Sequence, residues 1–146
     1  MTDDTDQRRH WMSVLARAGA ASLEAGLAPL PVWTRVRGPE TGLTMVRGRA
    51  GGSGPAFNLG EMTVTRCTVR LESGLAGHAY VAGRDERHAE LAAVADALLQ
   101  DPARRAVLRE TLIATLEAQE VARRAEAAEK AAATKVEFFS MRTMRT

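Results

Sequence analysis

The sequence VRGRAGGSGPAFNLGEMTVTRC, residues 46–67, decides how the middle of this chain folds. It places a glycine-rich loop between two segments with strand character. Gly51, Gly52 and Gly54 supply backbone that can adopt positive φ or admit the close approach of another group. Such a loop suits a hairpin connection or a cradle for an anion. Because glycine-rich hairpin loops are common and phosphate cradles are rare, the pattern favours a connection between antiparallel strands.

The loop lacks the features of a nucleotide-binding loop. A Walker loop places Lys and then Ser or Thr after its last glycine, and a dinucleotide-binding loop opens a helix. Here Pro55, Ala56 and Phe57 lead into a segment with strand character. The sequence therefore argues against nucleotide binding by this loop alone.

Four segments rich in β-branched residues surround the loop, and turn signals at Pro39, Glu40, Ser73 and Gly74 divide them. They predict an antiparallel meander of about four strands within residues 32–84. Helical patterns fill the flanking regions. The predicted fold class is therefore α+β, as one domain over residues 1–146 whose parts are a helical N-terminus, the meander, further helices and a short β-like tail: 1–28, 32–84, 85–134 and 135–146. The four predicted strands are residues 32–37, 43–49, 62–71 and 76–83.

Apolar residues at helical spacing identify the elements that cover this sheet. An N-terminal stripe at i, i+3, i+4 and i+7 predicts a first helix. Asp85 is placed to cap a later helix whose apolar stripe would lie across the sheet. The first stripe is Trp11, Val14, Leu15 and Ala18, and the second is Leu91, Val94, Ala95, Leu98 and Leu99.

A long helix is predicted after Asp101, because a cap residue followed by Pro102 is a strong start signal and nothing breaks the pattern until about residue 134. At about 1.5 Å per residue it would span about 50 Å, so we expect it to project or bend. Its second half is mostly alanine and charged residues, which is typical of a solvated helix. The tail beyond it is apolar at Phe138, Phe139 and Met141, and we interpret this tail as a docking segment.

Composition limits the class of protein. The 146 residues are 45% hydrophobic but only 4% aromatic, which predicts a largely aliphatic core. The single cysteine, Cys67, excludes an internal disulfide and a cysteine-based zinc site and fits a reducing compartment. No apolar run approaches the length of a membrane span, and the charged N-terminus differs from a signal peptide. We therefore expect a cytoplasmic protein that does not bind membranes.

Positive charge is concentrated in the middle of the chain. Residues 33–84 hold seven arginines against three glutamates, whereas residues 85–135 hold ten acidic residues against eight basic ones. The planar guanidinium suits carboxylate and phosphate recognition. Together with the glycines of the loop, Arg47, Arg49, Arg66 and Arg84 are therefore candidates for contact with an anion or an acidic partner. A solvated arginine surface explains the same pattern.

Candidate catalytic groups are sparse. His10, His78 and His88 lie far apart and match no metal-ligand spacing, and the sequence contains no G-x-S-x-G motif. Cys67 falls within a predicted strand, where a buried, unreactive thiol is the common outcome. Alternation along that strand places Arg66 on the face opposite Cys67. We predict no catalytic residue and no metal site on this chain.

Seven short blocks, spread in order over nearly the whole chain, resemble the PhnG family, a subunit of the bacterial carbon–phosphorus lyase core complex. The blocks are RRHWMSVLA, TGL, AGGSG, GEMTVTRCTVRL, GRDERHAE, ETLIATL and VEFFSM, at residues 8–16, 41–43, 50–54, 60–71, 83–90, 110–116 and 136–141.

The resemblance implies a role in phosphonate breakdown. In that family, PhnG, PhnH and PhnI, aided by PhnL, displace adenine from MgATP with an alkylphosphonate to give ribose 1-alkylphosphonate 5-triphosphate, and PhnJ later cuts the carbon–phosphorus bond. Catalysis is assigned to PhnI. The resemblance therefore implies a structural subunit of a two-fold hetero-oligomer with PhnI, PhnH and PhnJ, with PhnL as an accessory and with no cofactor on this chain.

Two other classes fit parts of the sequence. A nucleic-acid or anion-binding module would use the arginines, but base stacking needs interleaved aromatic residues, and the region offers only Trp33, Phe57 and Tyr80. A standalone enzyme would use the arginines and the glycine loop, yet it would lack a nucleophile or a positioned base. Both classes are weaker interpretations than the subunit.

Overall fold

Two helices lead into an antiparallel sheet, which further helices then cover. The computed structural model describes residues 2–136 of the chain and confirms the α+β class. Its elements are α1 (Thr2–Arg17), α2 (Ala20–Leu27), β1 (Trp33–Gly48), β2 (Phe57–Leu71), β3 (Ala76–Ala82), α3 (Glu86–Leu99), α4 (Pro102–Leu108) and α5 (Ala114–Ala133).

The described part of the chain forms one three-stranded sheet in the order β1-β2-β3, with both pairs antiparallel. The glycine-rich loop joins β1 to β2, as the sequence predicted. Gly51, Gly52 and Gly54 have φ values of 60°, 78° and 88°, which are left-handed conformations that favour glycine over other residues. The loop includes a short 3₁₀ turn, Ala50–Gly52.

The prediction of about four strands is wrong, because the two segments predicted on either side of Pro39 are parts of one strand, β1. The register between β1 and β2 shifts between Arg35 and Arg37 and again between Arg37 and Glu40. Proline lacks an N–H donor, but bulges and edge strands tolerate it, and β1 is an edge of this sheet. The β-like tail beyond residue 136 lies outside the described residues.

Helix α3 is the centre of the core. Every residue from His88 to Leu99 is buried, because the helix packs against the sheet and is covered by α1, α2 and α4. Its N-terminus begins as predicted, with the Asp85 carboxylate accepting a hydrogen bond from the backbone N–H of His88 at 2.9 Å. Gly77 on β3 lies so close to α3 that a Cβ atom at this position would be 1.9 Å from the carbonyl oxygen of Ala93.

The predicted long helix begins at Pro102, behind an Asp101 cap, and continues through a π-helical turn to Ala133. Leu112, Ile113 and Leu116 are buried in its first half, whereas every residue from 121 to 136 is exposed. This agrees with a helix whose second half is solvated. Across residues 2–136, no helix combines the length and the apolar character that a membrane span requires.

Candidate functional site

The arginines of the glycine-rich loop brace the loop itself. Arg49 Nη1 donates a hydrogen bond to the Gly54 carbonyl oxygen at 2.8 Å, and Arg47 Nη2 lies 3.5 Å from the Ala56 carbonyl oxygen. A Cβ built on Gly51, Gly52 or Gly54 would meet no atom within 4 Å. The loop is therefore an open turn with two exposed guanidinium groups.

Arg66 forms an exposed ion-pair cluster on the sheet. Its Nη2 atom is 3.2 Å from Glu40 Oε2, and Arg37 Nη2 is 2.9 Å from the same oxygen. Hydrogen bonding from Arg37 is the largest influence that lowers the pKa of Glu40, and the charge of Arg66 acts in the same direction. The carboxylate of Glu40 therefore balances part of the positive charge of Arg37 and Arg66.

The predicted arginines do not meet at one point. Arg47 pairs with Asn58 of β2, and Arg66 lies eight residues further along β2, a separation of roughly 26 Å in an extended strand. Arg84 lies in the connection between β3 and α3. A single site formed by all four is thus incompatible with this register, while contact of each with an anion or acidic partner stays a prediction.

The predicted alternation along β2 is present. Arg66 and Arg70 are exposed, whereas Cys67 and Val69 are buried against the helices. Burial is the main cause that raises the pKa of the Cys67 thiol. The thiol is therefore held in its neutral, less reactive form.

A buried carboxylate that the sequence analysis missed joins three elements. Asp96 of α3 is fully buried and accepts hydrogen bonds from Arg8 Nη2 at 2.8 Å, Trp11 Nε1 at 2.9 Å and the backbone N–H of His78 at 2.9 Å. Gln100 Nε2 lies 3.4 Å from the same carboxylate. An acidic residue in an otherwise apolar run of α3, residues 91–99, was the available signal, because a buried charge needs partners.

Glu90 forms a second such centre. It accepts hydrogen bonds from Arg35 Nε at 2.6 Å and from Trp33 Nε1 at 2.9 Å. The hydrogen bond from Arg35 is the largest influence that lowers the pKa of Glu90, and Trp33 adds to it. Glu90 therefore fastens the start of β1 to α3.

The histidines are separate from one another and each has a local partner. His88 Nε2 donates to the Leu15 carbonyl oxygen at 2.8 Å, and His10 Nε2 is 2.8 Å from Glu117 Oε1. Within the described residues, no group of three or more His, Cys, Asp or Glu side chains is arranged to hold a metal ion. The predicted docking residues Phe138, Phe139 and Met141 lie outside those residues.

The fold and its contacts define a small α+β protein whose buried acidic groups join its elements and whose sheet carries exposed arginines. A model of the family described as phosphonate metabolism protein PhnG matches residues 6–143. The chain belongs to the PhnG family, which confirms the resemblance of its sequence blocks.

A relative from Rhizobium meliloti (strain 1021) is named alpha-D-ribose 1-methylphosphonate 5-triphosphate synthase subunit PhnG. It is 49% identical over 141 residues, which cover 92% of this chain and 88% of the relative. The similarity therefore extends over most of both proteins.

Proposed function

We propose that this chain is a subunit of alpha-D-ribose 1-methylphosphonate 5-triphosphate synthase and acts in the catabolism of organic phosphonates. As part of that complex it supports the displacement of adenine from ATP by methylphosphonate. The observation that carries the proposal is the 49% identity to a protein named as this subunit, over most of both chains.

Within the complex, the proposed role is structural. PhnI would carry the catalytic residues and the complex would use MgATP, with PhnH and PhnJ as further core subunits, PhnL as an accessory and a two-fold arrangement overall. The roles of the buried acids support this division of labour. Asp96 and Glu90 are enclosed by donors from the chain's own elements, so both serve packing.

Reconstitution tests the proposal. We would co-express this chain with PhnH, PhnI, PhnJ and PhnL from the same source, purify it by an affinity tag and measure adenine released from MgATP and methylphosphonate. We expect the other subunits to co-purify and adenine release to require this chain. Full release by the complex without this chain would contradict the proposal.

The arginine candidates are tested in the same system. Replacing Arg47, Arg49, Arg66 and Arg84 together with glutamine should weaken assembly or adenine release if they contact an anion or an acidic surface. A matched control replaces four arginines that lie on helices: Arg9, Arg104, Arg123 and Arg124. Unchanged assembly and turnover in the variant with Arg47, Arg49, Arg66 and Arg84 replaced would show that none of the four contacts an anion or a partner.

A nucleic-acid or anion-binding module is the alternative. Tyr80 is half exposed and lies opposite Arg66 in the register of the sheet, which offers one stacking surface beside a positive charge. Trp33 is already hydrogen-bonded to Glu90. A gel-shift assay with random single-stranded DNA separates the two functions, because the subunit proposal expects no shift at physiological salt.

A further inference from the structure

One face of the sheet is covered by helices and the other is not. Cys67 and Val69 point toward α3 and are buried, so the alternate residues Arg66 and Arg70 mark the opposite face, which we call the outer face. Tyr80 pairs with Arg66 and is also exposed. In the described chain the helices pack on the other side of the sheet.

The outer face continues onto a two-stranded ribbon. Because β3 pairs only with residues 64–70 of β2, the earlier part of β2 has no third strand beside it. The ribbon consists of this part, residues 57–63, and its partners on β1, residues 43–48. No residue from 40 to 63 is buried. A two-stranded hairpin is marginally stable in water by itself, so this ribbon gains from a surface that covers it.

The register between β1 and β2 shows which apolar side chains of the ribbon lie on the outer face. Met62 pairs with Thr44, and Phe57 pairs with Gly48, both at positions that share the outer face with Arg66. Leu59 lies over Gly48, where a Cβ would be 2.5 Å from its Cδ1 atom. These three side chains are 46%, 60% and 39% exposed in chain order (Phe57, Leu59 and Met62).

Charge on the outer face changes along the sheet. Within residues 41–63 the one acidic residue is Glu61, which pairs with Met45 on the face opposite Met62. Arg66 and Arg70 follow at the base of the ribbon, where Glu40 is the neighbouring acid. A complementary surface is therefore apolar where it meets the ribbon and acidic where it meets the arginines. A second copy of this face would bring like charges together.

We propose that the outer face, built on Phe57, Leu59 and Met62 and bordered by Arg66 and Arg70, docks a different subunit of the synthase complex, whose contact surface is an apolar patch bordered by carboxylates. This inference rests on the proposed function. It assigns the covering of the ribbon to a heteromeric contact, for which buried apolar side chains supply affinity and the arginines supply orientation.

Two leucines on opposite faces of the ribbon make a matched test. Leu59 is 60% exposed on the outer face, whereas Leu43 is 64% exposed and pairs with Thr63 on the face that continues from Cys67. The variants L59D and L43D therefore introduce the same charge at similar exposure. Each is co-expressed with PhnH, PhnI, PhnJ and PhnL, with one of the other core subunits carrying the tag in each preparation. The amount of the variant recovered with each tagged subunit is compared with that of the wild-type chain.

We expect L59D to lose about tenfold or more of the recovered chain and L43D to lose less than about twofold. The charge-reversing variant R70E should also reduce recovery, and increasing salt should weaken the wild-type contact. Thermal melts of the isolated variants, followed by circular dichroism, check that both are folded. If L59D melts at a lower temperature than L43D, its loss of recovery results from unfolding and the proposal is overturned.

Other outcomes separate the two proposals. Equal recovery of L59D and L43D, with the wild type assembled, overturns the docking surface and leaves the proposed function intact. Failure of the wild type to assemble overturns both. A wild-type dimer in sedimentation that L59D dissociates would assign the face to a second copy and overturn the heteromeric contact.

Discussion

Gly77 shows how one absent side chain determines the position of a helix. A methyl group there would lie 1.9 Å from the Ala93 carbonyl oxygen and 2.5 Å from the Ala97 nitrogen, and backbone atoms cannot move aside as a flexible side chain can. We expect Gly77→Ala to lower the free energy of unfolding by about 3 kcal/mol, measured by urea denaturation.

Gly42→Ala is the control for this substitution. Gly42 also lies in a strand, but a Cβ there would meet nothing within 4 Å, so its substitution should change stability by less than about 1 kcal/mol. Equal effects of the two substitutions would show that α3 can retreat from the sheet.

Glu90 makes stability depend on pH in a defined direction. Its pKa is lowered chiefly by the hydrogen bond from Arg35, so the folded state binds a proton less readily than the unfolded state. The resulting stabilisation is present above about pH 4.3, the pKa of a glutamate in the unfolded chain. It is lost as the pH falls through the lower pKa that Glu90 has in the folded state. We expect Glu90→Gln to reduce the loss of stability between about pH 5 and pH 3, measured by urea denaturation.

The control for Glu90→Gln is Glu126→Gln, which removes a carboxylate that pairs with Lys130 on the exposed part of α5. If the stability of Glu90→Gln fell with pH as steeply as that of the wild type, the Arg35 contact would contribute nothing.

At the level of residues, caps and strand faces were predictable and buried polar contacts were not. Asp85 and Asp101 act through neighbours two or three residues away, so local sequence identifies them. The prediction that Cys67 is a buried thiol is also confirmed. Asp96, by contrast, accepts hydrogen bonds from Arg8 and Trp11, which are more than eighty residues away in the sequence. Distant partners depend on the packing of whole elements, which periodicity does not specify.

At the level of elements, Pro39 explains the main error. A proline beside a glutamate reads as a turn, yet at the edge of a sheet it is compatible with a strand that bulges. Edge position depends on the order of strands, which a local pattern does not contain. The long helix was predicted well because its start signal and its period are both local.

The tail beyond α5 yields an element-level prediction. Deleting residues 136–146 removes Phe138, Phe139 and Met141, which we expect to anchor a partner, since buried aromatic anchors commonly contribute about 2 kcal/mol or more each. Co-purification with PhnI should then fail while the melting temperature of the isolated chain stays the same. A lowered melting temperature would instead indicate that the tail stabilises this chain's own fold.

The control for the deletion replaces the tail with a glycine-serine segment of the same length, which keeps the reach of the chain and removes its apolar side chains. Recovery of assembly by this variant would exclude a role for Phe138 and Phe139.

For the whole molecule, the exposed ribbon predicts how the chain behaves alone. Phe57, Leu59 and Met62 form apolar surface that a stable monomer seldom exposes. We expect the isolated chain to bind the hydrophobic dye 8-anilinonaphthalene-1-sulfonate, and the assembled complex to bind less of this dye per copy of the chain. An isolated chain that binds no more dye than the assembled complex would contradict the prediction.

Asp96 also determines when the N-terminal helix can settle during synthesis. Helix α1 is complete at Arg17, but its hydrogen-bond acceptor is made roughly 80 residues later, which takes about 4 to 16 seconds at ordinary rates of translation. Throughout that interval Trp11 lacks the Asp96 carboxylate, and the apolar side chains around it lack helix α3, the centre of the core. Helix α1 is therefore made well before its partner on α3, and a chaperone that recognises nascent chains can bind it during that interval.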